Sequence, residues 1–382
     1  MSGIIINTMK AKGQYFTTSK VLLDKISEFI KNESDVILEP SIGKGHVVHS
    51  LAYKNTAFDM FEIDESLDLL PGIDKEKVVY GDFLTQNILK KYTTIVGNPP
   101  YVRTKTGNLY LDFIKKCVDL LDENGELIFV VPSDVFTLTS AKSLMTEMFG
   151  KGCITHVFHP GREDLFEKAS IDVLVFRYCK NSELEKITRF NGENKNMINT
   201  NGIITFSNET CSVLIKDCFD IYVGLVSGKE TVFKNYMGNV EILTSKRVFS
   251  KYIIIDKFPS GFEEIDKHLE THKKDLLARK IRKMTESNWF EFGALRNKKI
   301  METKGKCIYM YNLTRKTKVA FCGEIGLFGA NLLMMVPKKN INLQEFTNFI
   351  NSDFKNRFIQ SGRFKIGHRQ LCNSLIDASH IE

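Results

Sequence analysis

Thr94-Ile95-Val96-Gly97-Asn98-Pro99-Pro100-Tyr101 is the stretch on which the reading of this chain turns. The apolar run 94–97 reads as a buried strand. Proline has no N–H to donate and restricts the residue before it, so Asn98-Pro99-Pro100 ends the strand in a stiff turn. That turn presents a side-chain amide, free carbonyl oxygens and the ring of Tyr101 at the carboxyl end of a strand. In open α/β sheets, ligands bind at that edge. The set suits a planar molecule with an exocyclic amine, which needs acceptors for its N–H groups and a ring to stack on. A proline turn that merely caps a strand would use the same residues, and the neighbouring sequence decides between the two.

Upstream and downstream, helical and strand-like segments alternate. Residues 20–31 carry apolar side chains at helical spacing. Strands are expected at 35–38, 57–63, 78–80, 94–97 and 126–131, with later ones at 155–159 and 172–178. Helices are expected at 47–53, 109–121 and 140–149, the second closed by the stop signal Glu123-Asn124-Gly125. This alternation predicts a mostly parallel sheet covered on both faces. Residues 181–210 are polar with weak periodicity and read as a linker or edge elements. Beyond them short strands and helices mix, the clearest helix being 343–360.

Four expected strand ends carry chemistry-bearing residues, in chain order. The first is Glu39-Pro40-Ser41 followed by Gly43 and Gly45, where glycines permit a tight turn and close backbone approach. The second is Glu62-Ile63, some twenty residues on, where a carboxylate can accept ribose hydroxyls. The third is Asp82-Phe83, an acceptor for an exocyclic amine beside a ring that can stack on a nucleobase. The fourth is 98–101. Each alone is commonplace as a cap, a surface acid or a core aromatic. Together, in this order, they describe an adenosine-type pocket beside an amine-binding slot.

With these residues in place, the sequence resembles the gamma-class (TaqI-type) S-adenosylmethionine-dependent DNA adenine N6-methyltransferases. Gly13-Gln14-Tyr15-Phe16-Thr17-Thr18 resembles the opening motif, and the resemblance gives Thr17 a part in holding the methionine carboxylate. Residues 37–45 resemble the cofactor loop, 61–64 the ribose motif and 81–84 the cofactor-adenine motif. Asn98-Pro99-Pro100-Tyr101 matches the catalytic motif. The segment 108–114 resembles the next motif, with Phe113 lining the cofactor adenine. Leu165-Phe166-Glu167-Lys168-Ala169-Ser170 resembles the segment that supplies a second aromatic, Phe166, against a flipped base. Ile42 and Val47 stand where the family often has cysteine and phenylalanine.

The resemblance implies a fold and a domain plan. The fold is α/β: a Rossmann-like doubly wound methyltransferase sheet in residues 1–180, then a mixed α+β DNA target-recognition domain in 211–382. Asn98 stands fifteen positions after Phe83, too close for a recognition domain between them. Residues 222–228, and Asn351-Ser352 followed by Arg369 and Leu371, look like recognition-domain segments. The implied cofactor is S-adenosylmethionine, with no metal. The implied partner is double-stranded DNA, with a restriction endonuclease acting separately on the same site. Monomeric action, no membrane contact and an intracellular location complete the expectation.

Composition agrees with such a plan. The chain has 382 residues and a net charge of +7. Residues 1–180 hold 21 Lys+Arg against 24 Asp+Glu, and the remainder 32 against 22, so the excess of positive charge lies in the second part. That suggests a polyanion partner there, although a lysine-rich solvated surface gives the same numbers. The eight cysteines show no C-x-x-C pair, which argues against a zinc site or disulfide framework. No apolar run is long enough to span a bilayer, and residues 1–7 do not resemble a signal peptide. Arg103, Lys105, Lys246, Arg247, Arg296, Lys298, Lys299, Arg315, Lys316, Lys318, Arg363, Lys365, His368 and Arg369 are candidate DNA contacts.

Three other readings compete with this one. A methyltransferase acting on an RNA base or a protein glutamine amide shares a similar Asn-Pro-Pro-aromatic turn. A DNA-binding protein with a vestigial cofactor fold would keep the sheet without the chemistry. A fused nuclease rests only on the E-x-K spacing of Glu302-Thr303-Lys304.

Overall fold

The computed structural model describes residues 15–54, 56–104, 107–166, 170–208, 212–360 and 362–381. Gly13, Gln14, Lys105 and 167–169, named above, lie outside the described residues. The chain divides into two compact units: residues 1–211 with 359–362, and 212–358 with 363–382.

The first unit is built on a ten-stranded sheet. Its strands are β1 (Val36–Glu39), β2 (Ala57–Glu62), β3 (Val78–Tyr80), β4 (Tyr92–Gly97), β5 (Leu121–Pro132), β6 (Cys153–Phe158), β7 (Val173–Cys179), β8 (Ile187–Phe190), β9 (Glu193–Thr200) and β10 (Ile203–Ser207). The order is β10-β9-β8-β6-β7-β5-β4-β1-β2-β3. Strands β1 to β5 are parallel to one another, and β7 lies antiparallel between β5 and β6. The order reverses at β1, which pairs with β2 on one side and β4 on the other. A crevice opens at such a switch point.

Both faces of the central strands β4, β5 and β7 are buried, and their side chains alternate accordingly. Ile95, Leu127, Phe129, Val131, Leu174 and Phe176 point to one core, together with α3 (Leu109–Leu120) and α4 (Lys142–Lys151). Val96, Ile128, Val130, Val173 and Val175 point to the other, with α1 (Lys20–Phe29) and α2 (His46–Ser50). A strand buried on both faces reads as a continuous apolar run, which is how β4, β5 and β7 were legible.

Residues 181–210, read as a linker or edge elements, hold three strands. β8 pairs parallel with β6, and β9 and β10 follow as an antiparallel meander at the sheet edge. Two-residue turns join them. Asn191-Gly192 and Asn201-Gly202 all have positive φ (47°, 92°, 51° and 74°), the backbone that Asn-Gly is suited to supply.

In the second unit, Phe219–Val223, Leu332–Pro337, Lys306–Tyr311 and Ala320–Glu324 form a four-stranded antiparallel sheet. Ile308, Met310, Leu333 and Met335 face one core, and Cys307, Tyr309, Leu332 and Met334 the other. The helix expected at 343–360 ends at Ser352, and a 3-10 turn, Phe354–Phe358, follows. Asn351 accounts for the stop. Its Nδ2 donates to the Ala320 and Thr347 carbonyls while its Oδ1 accepts from the Val319 and Ala320 amides, fixing the helix end to a strand. Among the described residues, no helix is long and apolar enough to cross a membrane.

Candidate active site

The carboxyl ends of β1, β2, β3 and β4 surround a cavity of about 380 Å³. That volume falls in the range of small-molecule sites. Its lining includes Thr17, Glu39, Pro40, Ser41, Gly43, Glu62, Ile63, Asp82, Phe83, Asn98, Pro100 and Phe113. Gly45, Pro99, Tyr101 and Phe166 do not line it.

Glu39, at the end of β1, is buried, and Gly97 of β4 explains how it fits. A Cβ on Gly97 would lie 2.6 Å from Glu39 Oε1, so the glycine leaves the room that the Glu39 carboxyl occupies. Glu39 accepts one backbone bond, from Ser41 N at 3.2 Å. Burial raises its pKa to about 8, and the neighbouring Glu62 charge adds to the rise. A carboxyl in this state is held for a cationic or hydrogen-bonding ligand group.

Glu62, at the end of β2, is tied more firmly. Its Oε2 accepts from Gly43 N at 2.8 Å, and its Oε1 accepts from Ile63 N and Asp64 N at 3.0 Å each. Gly43 has φ 57°, which turns its N–H toward the carboxylate. A carboxylate offers about four acceptor sites, so Glu62 keeps about one for a ligand hydroxyl.

Asp82 and Phe83 form the third wall. Asp82 Oδ1 accepts from Leu84 N at 2.9 Å, leaving the second oxygen for the cavity. The Phe83 ring stacks on Phe113 at 5.4 Å and meets Phe61 edge-on at 5.3 Å. Lys116 of α3 holds this turn in place, a role that sequence reasoning missed. Its Nζ donates to the carbonyls of Phe83 (2.5 Å), Leu84 (3.2 Å) and Gln86 (2.6 Å) and lies 4.7 Å from the Phe83 ring centre.

The catalytic-motif turn has a defined polarity. Asn98 Nδ2 donates to the Tyr15 carbonyl at 2.5 Å. A carbonyl can only accept, so the amide's NH₂ end is committed there and Oδ1 faces away. Asn98 Oδ1 and Thr17 Oγ1 are both buried without a hydrogen-bond partner. Buried polar atoms are nearly always paired, so orphans at a cavity mark where a ligand completes the set.

Tyr101 and Phe166 are placed differently from the cavity lining. The Tyr101 hydroxyl donates to the Val130 carbonyl at 3.0 Å, and its ring stacks on Tyr15 at 5.7 Å and 26°. Phe166 is buried and packs edge-on against Tyr101 at 6.2 Å. Tyr15 thus takes the face of Tyr101 on which a flipped base was expected. The motif Gly13–Thr18 pointed to this region without singling out Tyr15.

Residues 10–166 match the Eco57I restriction-modification methylase family. The matched methylase segment contains the whole lining of the cavity. The chain is 26% identical to Type II methyltransferase M.HincII of Haemophilus influenzae over 64% of its own length and 53% of that protein's. It is 28% identical to Type II methyltransferase M.HindII of the same species over 50% of this chain and 40% of that protein. The chain therefore spans about half the length of these relatives, or less. Among solved structures, the Type IIL restriction-modification enzyme MmeI in complex with DNA aligns with 97% of this chain and 65% of that one, at 10% identity and TM-score 0.60. At that identity the likeness is one of fold, and it agrees with the α/β architecture described above. Among the described residues, no cluster of His, Cys, Asp and Glu suits a metal ion.

Proposed function

We propose that this protein transfers a methyl group from S-adenosylmethionine to N6 of an adenine flipped out of duplex DNA, as the modification enzyme of a restriction-modification system. One observation carries the reading. Asn98 is held by the Tyr15 carbonyl with its Oδ1 orphaned at a cavity bounded by Glu39, Glu62 and the Asp82-Phe83 turn. The family match of residues 10–166 and the names of the relatives support the same reading.

The residues present fit the cofactor. Glu39 and Thr17 suit its amino-acid end, the free acceptor of Glu62 a ribose hydroxyl, and Asp82, Phe83 and Phe113 its adenine. When bound, S-adenosylmethionine supplies an electrophilic methyl group. The chain's own part is to present the acceptor. An aromatic amine is a poor nucleophile because its lone pair is delocalised into the ring. Asn98 Oδ1 and the Pro99 carbonyl accept its two N–H bonds, favour a tetrahedral nitrogen and direct the lone pair into the cavity. The proton departs after transfer, so no general base is required beforehand. A base inside a duplex must leave the stack to reach this point. Tyr15 must then yield its place on Tyr101, and Tyr101 and Phe166 would grip the base.

The test is methyl transfer from labelled S-adenosylmethionine to duplex DNA, with single-molecule sequencing of the product. N6-methyladenine at one short motif is expected. The Asn98→Ala variant should bind cofactor but lose about 10²- to 10³-fold in turnover, as for removal of one positioned transition-state hydrogen bond. Cofactor binding with methylation of RNA or protein only would select the alternative acceptor class.

A further inference from the structure

The two-residue turn of the hairpin Val240–Ser245 with Val248–Tyr252 is Lys246-Arg247. Arg247 has φ 58°, a backbone position that glycine or asparagine normally fills at a hairpin turn. An arginine held there sacrifices local stability, which makes sense if its side chain is needed at the tip. After the turn, Val248 and Phe249 are 50% and 60% exposed.

A second segment adjoins this tip. Ser245 and Lys246 are tied to Tyr311, by a short bond between the Ser245 and Tyr311 hydroxyls and by Lys246 N donating to the same oxygen at 3.2 Å. Lys316 Nζ donates to Ser245 Oγ at 2.7 Å and to Tyr311 Oη at 3.1 Å, bracing the hairpin against residues 315–318. Lys355 Nζ donates to the Thr317 carbonyl at 3.0 Å and fixes that loop from its other side. The two segments therefore form one surface. Among the described residues, none of Lys246, Arg247, Arg315, Lys316 or Lys318 forms an ion pair with a carboxylate, and all five are exposed. A cluster of like charges without counter-ions is a site for a polyanion, and exposed apolar side chains within it suit sugar and base edges.

We infer that this surface, the hairpin tip 246–249 with the loop 315–318, is where the protein docks on duplex DNA. The basic side chains contact phosphates, and Arg247, Val248 and Phe249 enter a groove. The inference rests on the DNA reading of the preceding section and assigns that reading a surface.

The test uses the full chain and fluorescence anisotropy with a labelled mixed-sequence duplex across a salt titration. Wild type first shows whether salt-dependent binding exists; its absence, with cofactor binding intact, overturns the DNA reading itself and this surface with it. Given binding, Lys246→Gln with Arg315→Gln should weaken affinity at least ten-fold. It should also flatten the dependence of log affinity on log salt by about 0.9 for each phosphate no longer neutralised. Phe249→Ser should weaken binding with the salt slope unchanged. Arg247→Gly should keep or raise the melting temperature while weakening binding, which separates a DNA-touching side chain from a structural one. Lys267→Gln, on an exposed helix face, serves as the control and should stay within two-fold. Affinities within two-fold of wild type for all the hairpin and loop variants, with an unchanged slope, would overturn the inference.

Discussion

Two buried glutamates on one sheet are treated in opposite ways. Glu126, toward the amino side of β5, is fully enclosed and fully satisfied. It accepts from Lys31 N, Asn32 N and Thr94 Oγ1 and pairs with Arg177 Nε at 2.6 Å. Those bonds fasten the chain leaving α1 to β4, β5 and β7. Glu39, at the carboxyl end of β1, is equally buried but receives a single backbone bond and faces another acid. One end of the sheet uses its buried charge to close the structure, and the other leaves it incomplete for a ligand. Burial alone therefore does not distinguish a structural acid from a functional one; the count of partners does.

The largest expected effect breaks the satisfied end. Glu126→Ala leaves Arg177 buried without its acid and should cost about 3–5 kcal/mol of stability, measured by denaturant unfolding. A loss below about 1 kcal/mol would mean that the pair is dispensable and the contrast false. The next prediction sharpens the unsatisfied end. Glu39 has a pKa of about 8 in the folded chain against an ordinary 4.5. Its contribution to stability is thus fully present below about pH 4.5 and is lost as pH rises toward 8, with a slope of at most about 1.4 kcal/mol per pH unit. Unfolding of the ligand-free protein at pH 5 to 8 should show this decline, and Glu39→Gln should flatten it. The same substitution should weaken S-adenosylmethionine binding about ten- to a hundred-fold, the size of a missing charged hydrogen bond. The smallest effect tests whether supports of the site act on ligand rather than on fold. Lys116→Met frees the Asp82-Phe83 turn and should lower cofactor affinity about ten-fold by calorimetry, or about 1.4 kcal/mol. Its melting temperature should barely move, since Lys116 is partly exposed.

The contrast also explains what was legible in the sequence. β3 was placed to the residue and β4 to within two, because short apolar runs leave an unbroken signal; of β5 only the later half was placed, since the polar stretch 122–126 hides its start at Leu121. The strand-end residues were legible because each stands next to such a run. β9, paired between β8 and β10, was not, since a strand of largely polar, half-exposed residues lacks an apolar run; its sequence signal is the Asn191-Gly192 and Asn201-Gly202 turns at its two ends. Lys116 was illegible for another reason. A lysine on an amphipathic helix reads as solvated, and only the three carbonyls gathered by the turn after β3 give it a task. The early end of the helix at Ser352 likewise depends on a strand distant in sequence. Tyr15 was read as part of a motif, but its stacking on Tyr101 is a tertiary fact.

Every residue lining the cavity falls between Tyr15 and Phe113. On a ribosome the last of them is made about a hundred residues before the second unit begins, roughly 5–20 s at ordinary elongation rates. β5 pairs with β4 on the side away from β1, and β7 pairs with β5; both strands are finished before Ser212. The nascent chain can therefore assemble its small-molecule pocket, and be stabilised by what fills it, before the basic hairpin has been synthesised.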